Sequence, residues 1–310
     1  MIEFLHFNRL FNDEEDFGNL LRGEPVAVDM LWNLKNFKFD ESKDCIGTGG
    51  FSEVFRARVV NHSCPYKIQN TCIVAIKRVS KEKLELDDLG NLCHEILNQH
   101  NCRNCSNTIG IYGYHSDEKY VYLILEYAPG GSLRDVLNEE TTLTPQRAAR
   151  IIKNLSKTIH DCHRNSVTHR DIKPENLLCG LNDDVCKIAD FGISHFSHDG
   201  AMCKSGSCTL EYAAPEILSG ERHGKAVDIY AMGILLYEIL TGKTPFDSNK
   251  TNHEEWENEV VDMIKKGEIK QWHGIPENAK DLIMKMLKKD PEERISLKEI
   301  LRHNFFKSNK

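Results

Sequence analysis

The sequence predicts an α+β fold with two lobes, a β-rich first lobe and an α-helical second lobe. Apolar patterns typical of strands dominate from Phe37 to about Leu125. Helical periodicity dominates after the Pro-Gly-Gly turn that follows. The chain of 310 residues is long enough for two lobes with a sizeable core. We therefore expect one domain over residues 37–306, divided into lobes at about 37–128 and 129–306.

The first lobe is predicted to contain mainly strands and one helix. The helix is expected because Leu89, Leu92, Cys93 and Ile96 share one face at helical spacing. The strand segments are apolar runs separated by polar turns, of which 61–70 is the longest. The predicted elements are strands at 37–46, 51–60, 72–79, 108–114 and 120–126 and the helix at 86–99.

The second lobe is predicted to be helical. Pro145 suits the first turn of a long helix whose apolar residues form one stripe. The segment 227–241 is apolar nearly all round, which indicates a buried helix, and it is too short to span a membrane. The predicted helices cover 132–137, 145–164, 227–241, 279–288 and 296–303.

Composition and charge exclude some classes of protein. Hydrophobic residues make up 40% and charged residues 28% of the chain, as is typical of a globular protein. The formal net charge of −7 argues against a general nucleic-acid binder. The sequence has no apolar run long enough for a membrane span. We therefore expect a protein that binds neither nucleic acid nor a membrane, and we further expect it to be a monomer.

The cysteines indicate the cellular compartment. They number eleven, which is odd, and the start of the chain lacks the basic and apolar regions of a secretory signal. Disulfides are rare in cytosolic and nuclear proteins. We therefore expect reduced thiols and a cytoplasmic or nuclear location.

Residues 1–36 form an extension before the predicted domain. Phe7, Leu10 and Phe11 lie at helical spacing, close to an acidic run at 13–16. One interpretation is a short helix packed on the domain, or a partly flexible extension. The other is a docking segment for a partner. At the other end of the domain, the last four residues, 307–310, form a short tail.

The segment 169–176, which reads His-Arg-Asp-Ile-Lys-Pro-Glu-Asn, is followed by an Asp-Phe-Gly triplet. Together they supply Asp171, Lys173, Asn176 and Asp190 in a fixed order. Phosphoryl transfer requires these types: a carboxylate for the acceptor hydroxyl, an ammonium near the γ-phosphate and oxygen ligands for Mg²⁺. The pattern resembles the catalytic loop and metal-binding loop of eukaryotic protein kinases.

A glycine-rich stretch, 47–54, lies between two predicted strands, and glycine backbones can approach phosphates closely. A Rossmann loop would instead be followed by a helix. Lys77 ends an apolar Val-Ala-Ile-Lys strand that resembles the kinase segment whose lysine holds the α- and β-phosphates. Its partner is expected to be Glu95 on the next helix, since Glu82 and Glu85 fall before or at the helix start.

The resemblance covers about residues 37–306 and implies a bilobal protein kinase fold that uses ATP and Mg²⁺. It implies that Asp171 accepts the proton of the acceptor hydroxyl, that Lys173 steadies the γ-phosphate, and that Asn176 and Asp190 hold Mg²⁺. The residues implied to contact or position the nucleotide are Gly47, Thr48, Gly49, Gly50, Phe51, Ser52, Val54, Ala75, Lys77, Glu95, Leu125, Glu126 and Ala128. The resemblance further implies that Glu216 pairs with Arg294 and that Asp228 anchors the catalytic loop.

Lys173 and Thr209 match residues that Ser/Thr kinases place near the catalytic aspartate, so transfer to serine or threonine is expected. Arg170 is suited to bind a phosphate through its forked guanidinium. Ser205 is the best candidate for phosphorylation in the segment before Thr209, and an unmodified loop is the alternative. Cys208 stands where kinases usually have glycine.

Several stretches are similar to Aurora-type kinases, among them 111–114 and 122–129, and Gln99 matches an Aurora feature. This resemblance implies a role in chromosome segregation and spindle control, with protein substrates and an activating protein partner. The alternatives are a pseudokinase scaffold and a calcium/calmodulin-type or polo-like Ser/Thr kinase. Glu175 and Glu211 either favour a basic substrate residue or are solvated surface charges.

Overall fold

The computed structural model describes residues 33–60, 73–84, 86–181, 185–196 and 208–308. These residues form two compact units. The first unit comprises the described residues through Arg103 together with Ile109–Tyr127, and the second comprises Asn104–Thr108 together with the residues from Ala128 onward. The first is mainly β-sheet and the second mainly helical, so the predicted α+β class is confirmed.

The first unit is built on one antiparallel sheet in the order β1-β3-β4-β6-β5, with β2 paired to β3. One long helix, α1, follows β4 in the chain. The bounds are β1 Phe37–Lys38, β2 Cys45–Thr48, β3 Ser52–Val59, β4 Ile73–Ser80, α1 Leu86–Asn101, β5 Ile111–Ser116 and β6 Tyr120–Glu126. Each of the predicted strands and the helix has a counterpart here, although some bounds differ.

The predicted first strand, 37–46, is wrong as a single element, because a turn separates β1 from β2. The backbone N–H of Asp44 donates to the carbonyl of Asp40 at 2.8 Å. The Asp40 carboxylate also accepts from the backbone N–H of Ser42 at 2.9 Å. Aspartate offers the chain this local bonding pattern, which competes with a strand ladder.

Both faces of the sheet are buried, which explains why β6 is a continuous apolar run. Val121 and Leu123 belong to a cluster with residues of α1, including Leu92 and Ile96. Tyr122 and Ile124 point to the other face and pack with residues of β1, β3 and β4. Successive strand residues alternate between faces, so a strand that is covered on both sides must be apolar throughout.

The second unit is mainly helical, with short strands near its beginning. The bounds are α2 Leu133–Glu140, α3 Pro145–Arg164, β7 Val167–Thr168, β8 Leu177–Cys179, β9 Cys186–Ile188, β10 His195–Phe196, α4 Pro215–Leu218, α5 Ala226–Thr241, α6 His253–Lys266, α7 Glu277–Met286, α8 Leu297–Ile300 and α9 Phe305–Ser308. Every α5 residue from Val227 to Leu240 is buried, so the prediction of a buried helix is confirmed. Among the described residues, no helix has both the length and the apolar character needed to cross a bilayer.

The sequence patterns did not indicate α6. Only Val260 and Ile264 are buried on this helix, so its apolar stripe is too narrow to stand out. Its ends are nevertheless well defined. The Asn252 side chain caps the N-terminus by accepting from the backbone N–H of Glu255, and Gly267 ends the helix with a φ of 72°.

A β-hairpin joins β8 to β9 and carries a disulfide between Cys179 and Cys186. The two residues are directly opposite in the hairpin register, and their Cα atoms are 4.2 Å apart. The expectation of reduced thiols is therefore wrong for this pair. The register brings both side chains to one face, and sequence spacing alone does not reveal that register.

Candidate active site

The segment that contains Asp171 is held in place by Asp228, a fully buried carboxylate in the first turn of α5. Its oxygens accept from the backbone N–H groups of His169 at 2.9 Å and Arg170 at 2.8 Å. His163, at the end of α3, donates to it through Nε2 at 2.7 Å. These bonds fix the backbone of Arg170 at a φ of 71°, a conformation that residues other than glycine rarely adopt.

The environment of Asp228 favours its ionised form. Burial alone would raise the pKa of this carboxyl group, but interactions with His163 and the hydrogen bond from the backbone N–H of Arg170 outweigh burial. The net result is a pKa below the ordinary value. A buried anion therefore orients the loop through charge-assisted hydrogen bonds.

Asp171 lies at the centre of a small polar cluster. Its Oδ1 accepts from the Thr209 hydroxyl at 2.9 Å, and its Oδ2 lies 2.8 Å from Lys173 Nζ. Lys173 also donates to the Thr209 hydroxyl at 2.8 Å. Asn176 Nδ2 donates to Asp171 Oδ2 at 2.7 Å and to the Asp171 carbonyl at 2.8 Å. The structure thus brings Thr209 into contact with Asp171 and Lys173 of the 169–176 segment, more than thirty positions earlier in the chain.

Asp190 lies two residues after the end of β9, with a φ of 61°. The adjoining residue Ala189 donates its N–H to the Asn176 carbonyl at 2.9 Å and accepts from His169 Nε2 at 3.1 Å. Phe191 is buried, with its ring edge-on to His169 at 4.9 Å between centroids. The segment carrying Asp190 is therefore bonded to the segment carrying Asn176. An amide oxygen and a carboxylate are hard ligands, so this donor set fits Mg²⁺.

In the first unit, Lys77 on β4 and Glu95 on α1 form a nearly buried ion pair. Lys77 Nζ donates to Glu95 Oε1 at 2.7 Å, and the exposed side-chain fractions are 16% and 6%. The pair predicted from the sequence is therefore in contact. Glu82 instead lies in a short 3-10 helix before α1, and Glu85 lies outside the described residues.

The glycine-rich stretch forms the turn between β2 and β3. Gly49 N–H donates to the Ser52 carbonyl at 2.7 Å, which closes the turn. Gly50 has no heavy atom within 4 Å of the place where a side chain would begin. Phe51, at the tip, is 52% exposed. The loop therefore has open space beside Gly50 and an exposed aromatic ring at Phe51, and phosphate binding by this loop stays a prediction.

Most of the other residues predicted to contact the nucleotide lie on paired strands or next to the end of one. Ala75 lies opposite Leu125, and Val54 lies opposite Lys77. The Glu126 carboxylate accepts from the backbone N–H of Gly110 at 3.1 Å, next to the end of β6. Thr48 pairs with Glu53 beside the turn, and Ala128 is the first residue of the second unit after Tyr127. Ser205 lies outside the described residues.

Comparison with known proteins agrees with this geometry. A family model described as protein kinase domain matches residues 41–306. The chain belongs to the protein kinase family. Aurora kinase C of Mus musculus is 38% identical over 260 residues, which covers 83% of this chain and 88% of that protein. Aurora kinase A-B of Xenopus laevis is 38% identical over 303 residues, covering 95% and 69% respectively. Aurora kinase B of Mus musculus is 37% identical over 266 residues, covering 85% and 72%.

The Aurora-like Gln99 has a structural use in this kinase. It is buried at the end of α1, and its Nε2 donates to the backbone carbonyl of Ile109 at 2.9 Å. The bond ties the helix that carries Glu95 to the chain just before β5. An apolar residue at this place would leave the buried carbonyl without that donor.

The kinase also contains site residues that sequence patterns did not reveal. His163 is one, and Arg134, Tyr212 and Glu238 form another group beside Thr209. Glu238 offered a signal, because a glutamate within a largely apolar buried helix requires a cation or donors nearby. The sequence does not say which residue supplies them.

Cys208, beside Thr209, is half-buried in this kinase. Burial raises the pKa of its thiol, with a smaller opposing effect from the charge of Arg170. The thiol is therefore held in its neutral, less reactive form. Arg170 itself is buried, with an exposed fraction of 8%.

Proposed function

We propose that this protein is an active kinase that transfers the γ-phosphate of ATP to serine or threonine residues of protein substrates. The observation that carries the proposal is the hydrogen-bonded cluster of Asp171, Lys173, Asn176 and Thr209. It contains the base, the cation and the metal-ligand type that phosphoryl transfer requires, all within hydrogen-bonding distance. Membership of the protein kinase family supports the same reaction.

In this proposal Asp171 accepts a hydrogen bond from the acceptor hydroxyl, orients it and takes its proton. Lys173 bonds both Asp171 and Thr209, so it holds the carboxylate in position and places a positive charge where the γ-phosphate arrives. Asn176 and Asp190 would hold Mg²⁺. The ion, when bound, neutralises charge on the phosphates and lowers the barrier to transfer.

The first unit supplies the residues that orient the nucleotide. Lys77 is held by Glu95, which keeps the ammonium from rotating away and directs it toward the α- and β-phosphates. The 47–54 loop would cover the phosphates with its backbone N–H groups, and its side chains would contact the nucleotide together with Ala75, Leu125 and Glu126. Ala128, where the second unit resumes, would contact the nucleotide as well. Positioning and charge neutralisation then supply most of the rate enhancement.

The choice of acceptor rests on Lys173 and Thr209, which both bond Asp171. The relatives are Aurora kinases, and by resemblance we propose a role in the cell cycle, with an activating protein partner. We further propose that phosphorylation of Ser205 activates the enzyme through Arg170. A peptide-array specificity profile would separate an Aurora-like preference from that of other Ser/Thr kinases.

The test is Mg²⁺-dependent phosphate transfer from ATP by the wild-type protein and by the variants Asp171→Asn and Asp190→Asn. We expect Asp171→Asn to lose at least about a hundredfold in kcat, because it removes the general base. Asp190→Asn should also lose at least about a hundredfold, because it removes a carboxylate that would hold Mg²⁺. Asp262→Asn is the matched control, since Asp262 is 58% exposed on α6 and should leave turnover unchanged. Near-normal turnover by either site variant would contradict the assignment.

The alternative class is a pseudokinase that binds partners without transferring phosphate. The wild-type protein distinguishes the two when it is tested with varied serine and threonine peptides and after phosphorylation of Ser205. Absence of transfer under all these conditions would favour the scaffold. Transfer that Asp171→Asn abolishes would establish the enzyme.

A further inference from the structure

A charged cavity of about 440 Å³ lies beside the Asp171 cluster in the second unit. Lys173 and Thr209, which both bond Asp171, form part of its wall. Carboxylate side chains outnumber cationic side chains in the lining of this cavity. The acidic lining residues are Glu175, Glu211, Glu238 and Asp247, and the other basic ones are Arg134 and Lys243.

Arg134 occupies the acidic part of this cavity with its whole guanidinium group. Its Nε donates to Glu175 at 2.7 Å, and its Nη1 donates to Glu238 at 2.8 Å. Its Nη2 donates to the Tyr212 hydroxyl at 3.1 Å. Three nitrogens of one side chain therefore bond three different residues, which are far apart in the sequence.

The burial of Glu238 explains why it needs the positive charge of Arg134. Only 4% of the Glu238 side chain is exposed, and the Tyr212 hydroxyl also donates to it. A buried carboxylate requires a counter-ion or donors close by. Burial opposes the charge of Arg134, but its hydrogen bonds to Glu175 and Glu238 prevail, so the pKa of the guanidinium is raised. Arg134 therefore keeps its positive charge at neutral pH.

The position of Arg134 in the chain keeps it there. It lies in the first turn of α2, one residue after Leu133, which is buried. The Ser132 and Asp135 side chains cap the helix start reciprocally. The backbone that carries the arginine is thus anchored on both sides, and the side chain extends from a fixed point.

An acidic cavity beside the acceptor site is suited to bind an arginine of the substrate, because carboxylates accept the forked guanidinium donors strongly. In this protein the carboxylates of Glu175 and Glu238 are already paired with Arg134 of the same chain. We propose that Arg134 is a specificity-determining residue, which fills the acidic cavity and suppresses selection for arginine in the substrate. This inference rests on the proposed kinase function and refines its substrate class.

The test compares Arg134→Ala with the wild-type protein on a set of peptides. Each peptide contains one serine in an alanine-glycine background and one arginine. The arginine is placed at each position from four residues before the serine to four residues after it, and the reference peptide has no arginine. We expect the best ratio of kcat/KM, arginine peptide over reference, to be at least about tenfold higher in Arg134→Ala than in wild type. Both peptides are assayed with the same enzyme preparation. A reduced fraction of folded enzyme therefore lowers both values of kcat/KM equally and leaves their ratio unchanged.

Two further variants locate the effect. Arg134→Ala combined with Glu175→Gln removes a carboxylate from the emptied cavity, so it should lose most of the new arginine preference. Arg147→Ala is the matched control, because Arg147 pairs with Glu140 and is not part of the cavity lining. Its arginine ratio should equal that of the wild-type protein.

Fluorescence anisotropy of a labelled arginine peptide separates failure of this inference from failure of the proposed function. Wild-type transfer with an unchanged arginine ratio in Arg134→Ala would overturn the inference while the function stands. If the protein transfers no phosphate, binding still decides: tighter binding of the arginine peptide to Arg134→Ala supports the inference, and equal binding overturns it. An arginine gain that survives Glu175→Gln would also overturn it.

Discussion

Asp228 shows how one buried charge organises the catalytic segment. It is fully buried, yet it bonds two successive backbone N–H groups and His163. The apolar helix around it keeps water away, which strengthens each of these bonds.

We expect Asp228→Asn to lower the free energy of unfolding by about 3 kcal/mol at pH 7, because the buried donors lose their anion. The pKa of Asp228 is lowered in the folded state. Its ionised form therefore stabilises the fold above the ordinary pKa of 3.8, and that contribution disappears as the pH falls through the folded value. Urea unfolding at pH 7, 5, 4 and 3 should show the difference from wild type narrowing only below about pH 4.

Asp262→Asn again serves as the control, because this exposed carboxylate should change the unfolding free energy by less than about 0.5 kcal/mol. A difference between wild type and Asp228→Asn that stays constant down to pH 3 would contradict the role given to the buried anion.

At the scale of elements, the β8–β9 hairpin connects the two segments that carry Asn176 and Asp190. The chain before α2 packs closely on it: the Gly130 N–H donates to the Cys179 carbonyl at 3.0 Å. A side-chain carbon added at Gly130 would lie 2.3 Å from the Gly180 carbonyl oxygen. Glycine is required here by the close approach of two backbones.

We expect Gly130→Ala to reduce the unfolding free energy by about 2 kcal/mol or more, because the new methyl group meets backbone that cannot rotate away. Gly224→Ala is the matched control, since nothing lies within 4 Å of its added carbon. It should be neutral or slightly stabilising. Chemical denaturation of both variants measures the contrast, and equal effects would contradict the packing argument.

The disulfide in the same hairpin gives a second prediction. Cys179 and Cys186 close a short loop, so their bond should add about 2–3 kcal/mol to the unfolding free energy. A reducing agent should therefore lower the denaturation midpoint of the wild-type protein. It should not lower that of Cys179→Ala/Cys186→Ala, and peptide mapping without reductant should find the two cysteines linked.

At the scale of the whole molecule, a buried ion pair joins distant segments of the second unit. Arg294 donates to both oxygens of Glu216 at 2.6 and 2.7 Å, and both side chains are almost fully buried. Arg294 also donates to the Ala226 carbonyl at the start of α5. The pair therefore connects α4, α5 and the chain before α8.

Removing one partner should destabilise the fold strongly, because the other charge stays buried. We expect Arg294→Met to lower the unfolding free energy by about 3–5 kcal/mol. The double variant Glu216→Leu/Arg294→Met should lose clearly less than the sum of the two single variants. Lys266→Met, which breaks an exposed pair on α6, should change stability by less than about 1 kcal/mol. Strict additivity in the double-mutant cycle would contradict a direct pairing.

Much of the fold was predictable, and the reason is local. The long helix at Pro145–Arg164 was predicted with its correct bounds because its stripe and its proline are local signals. Strand β6 was also predicted as observed, over Tyr120–Glu126. The single strand at 37–46 was wrong because the Asp40 side chain bonds its own neighbours. Helix α6 was missed because its buried stripe is narrow.

By itself, the sequence determined the class of fold, the family and the residue types of the candidate site. Short motifs such as 169–176 carry these features because phosphoryl transfer requires particular groups in a fixed local order. Only the tertiary structure decided which distant groups meet. The contact of Arg134 with Glu238, the disulfide at Cys179 and the hydrogen bond from His163 to Asp228 depend on packing and register. Those are properties of the folded chain, because burial creates the need for a partner and geometry selects it.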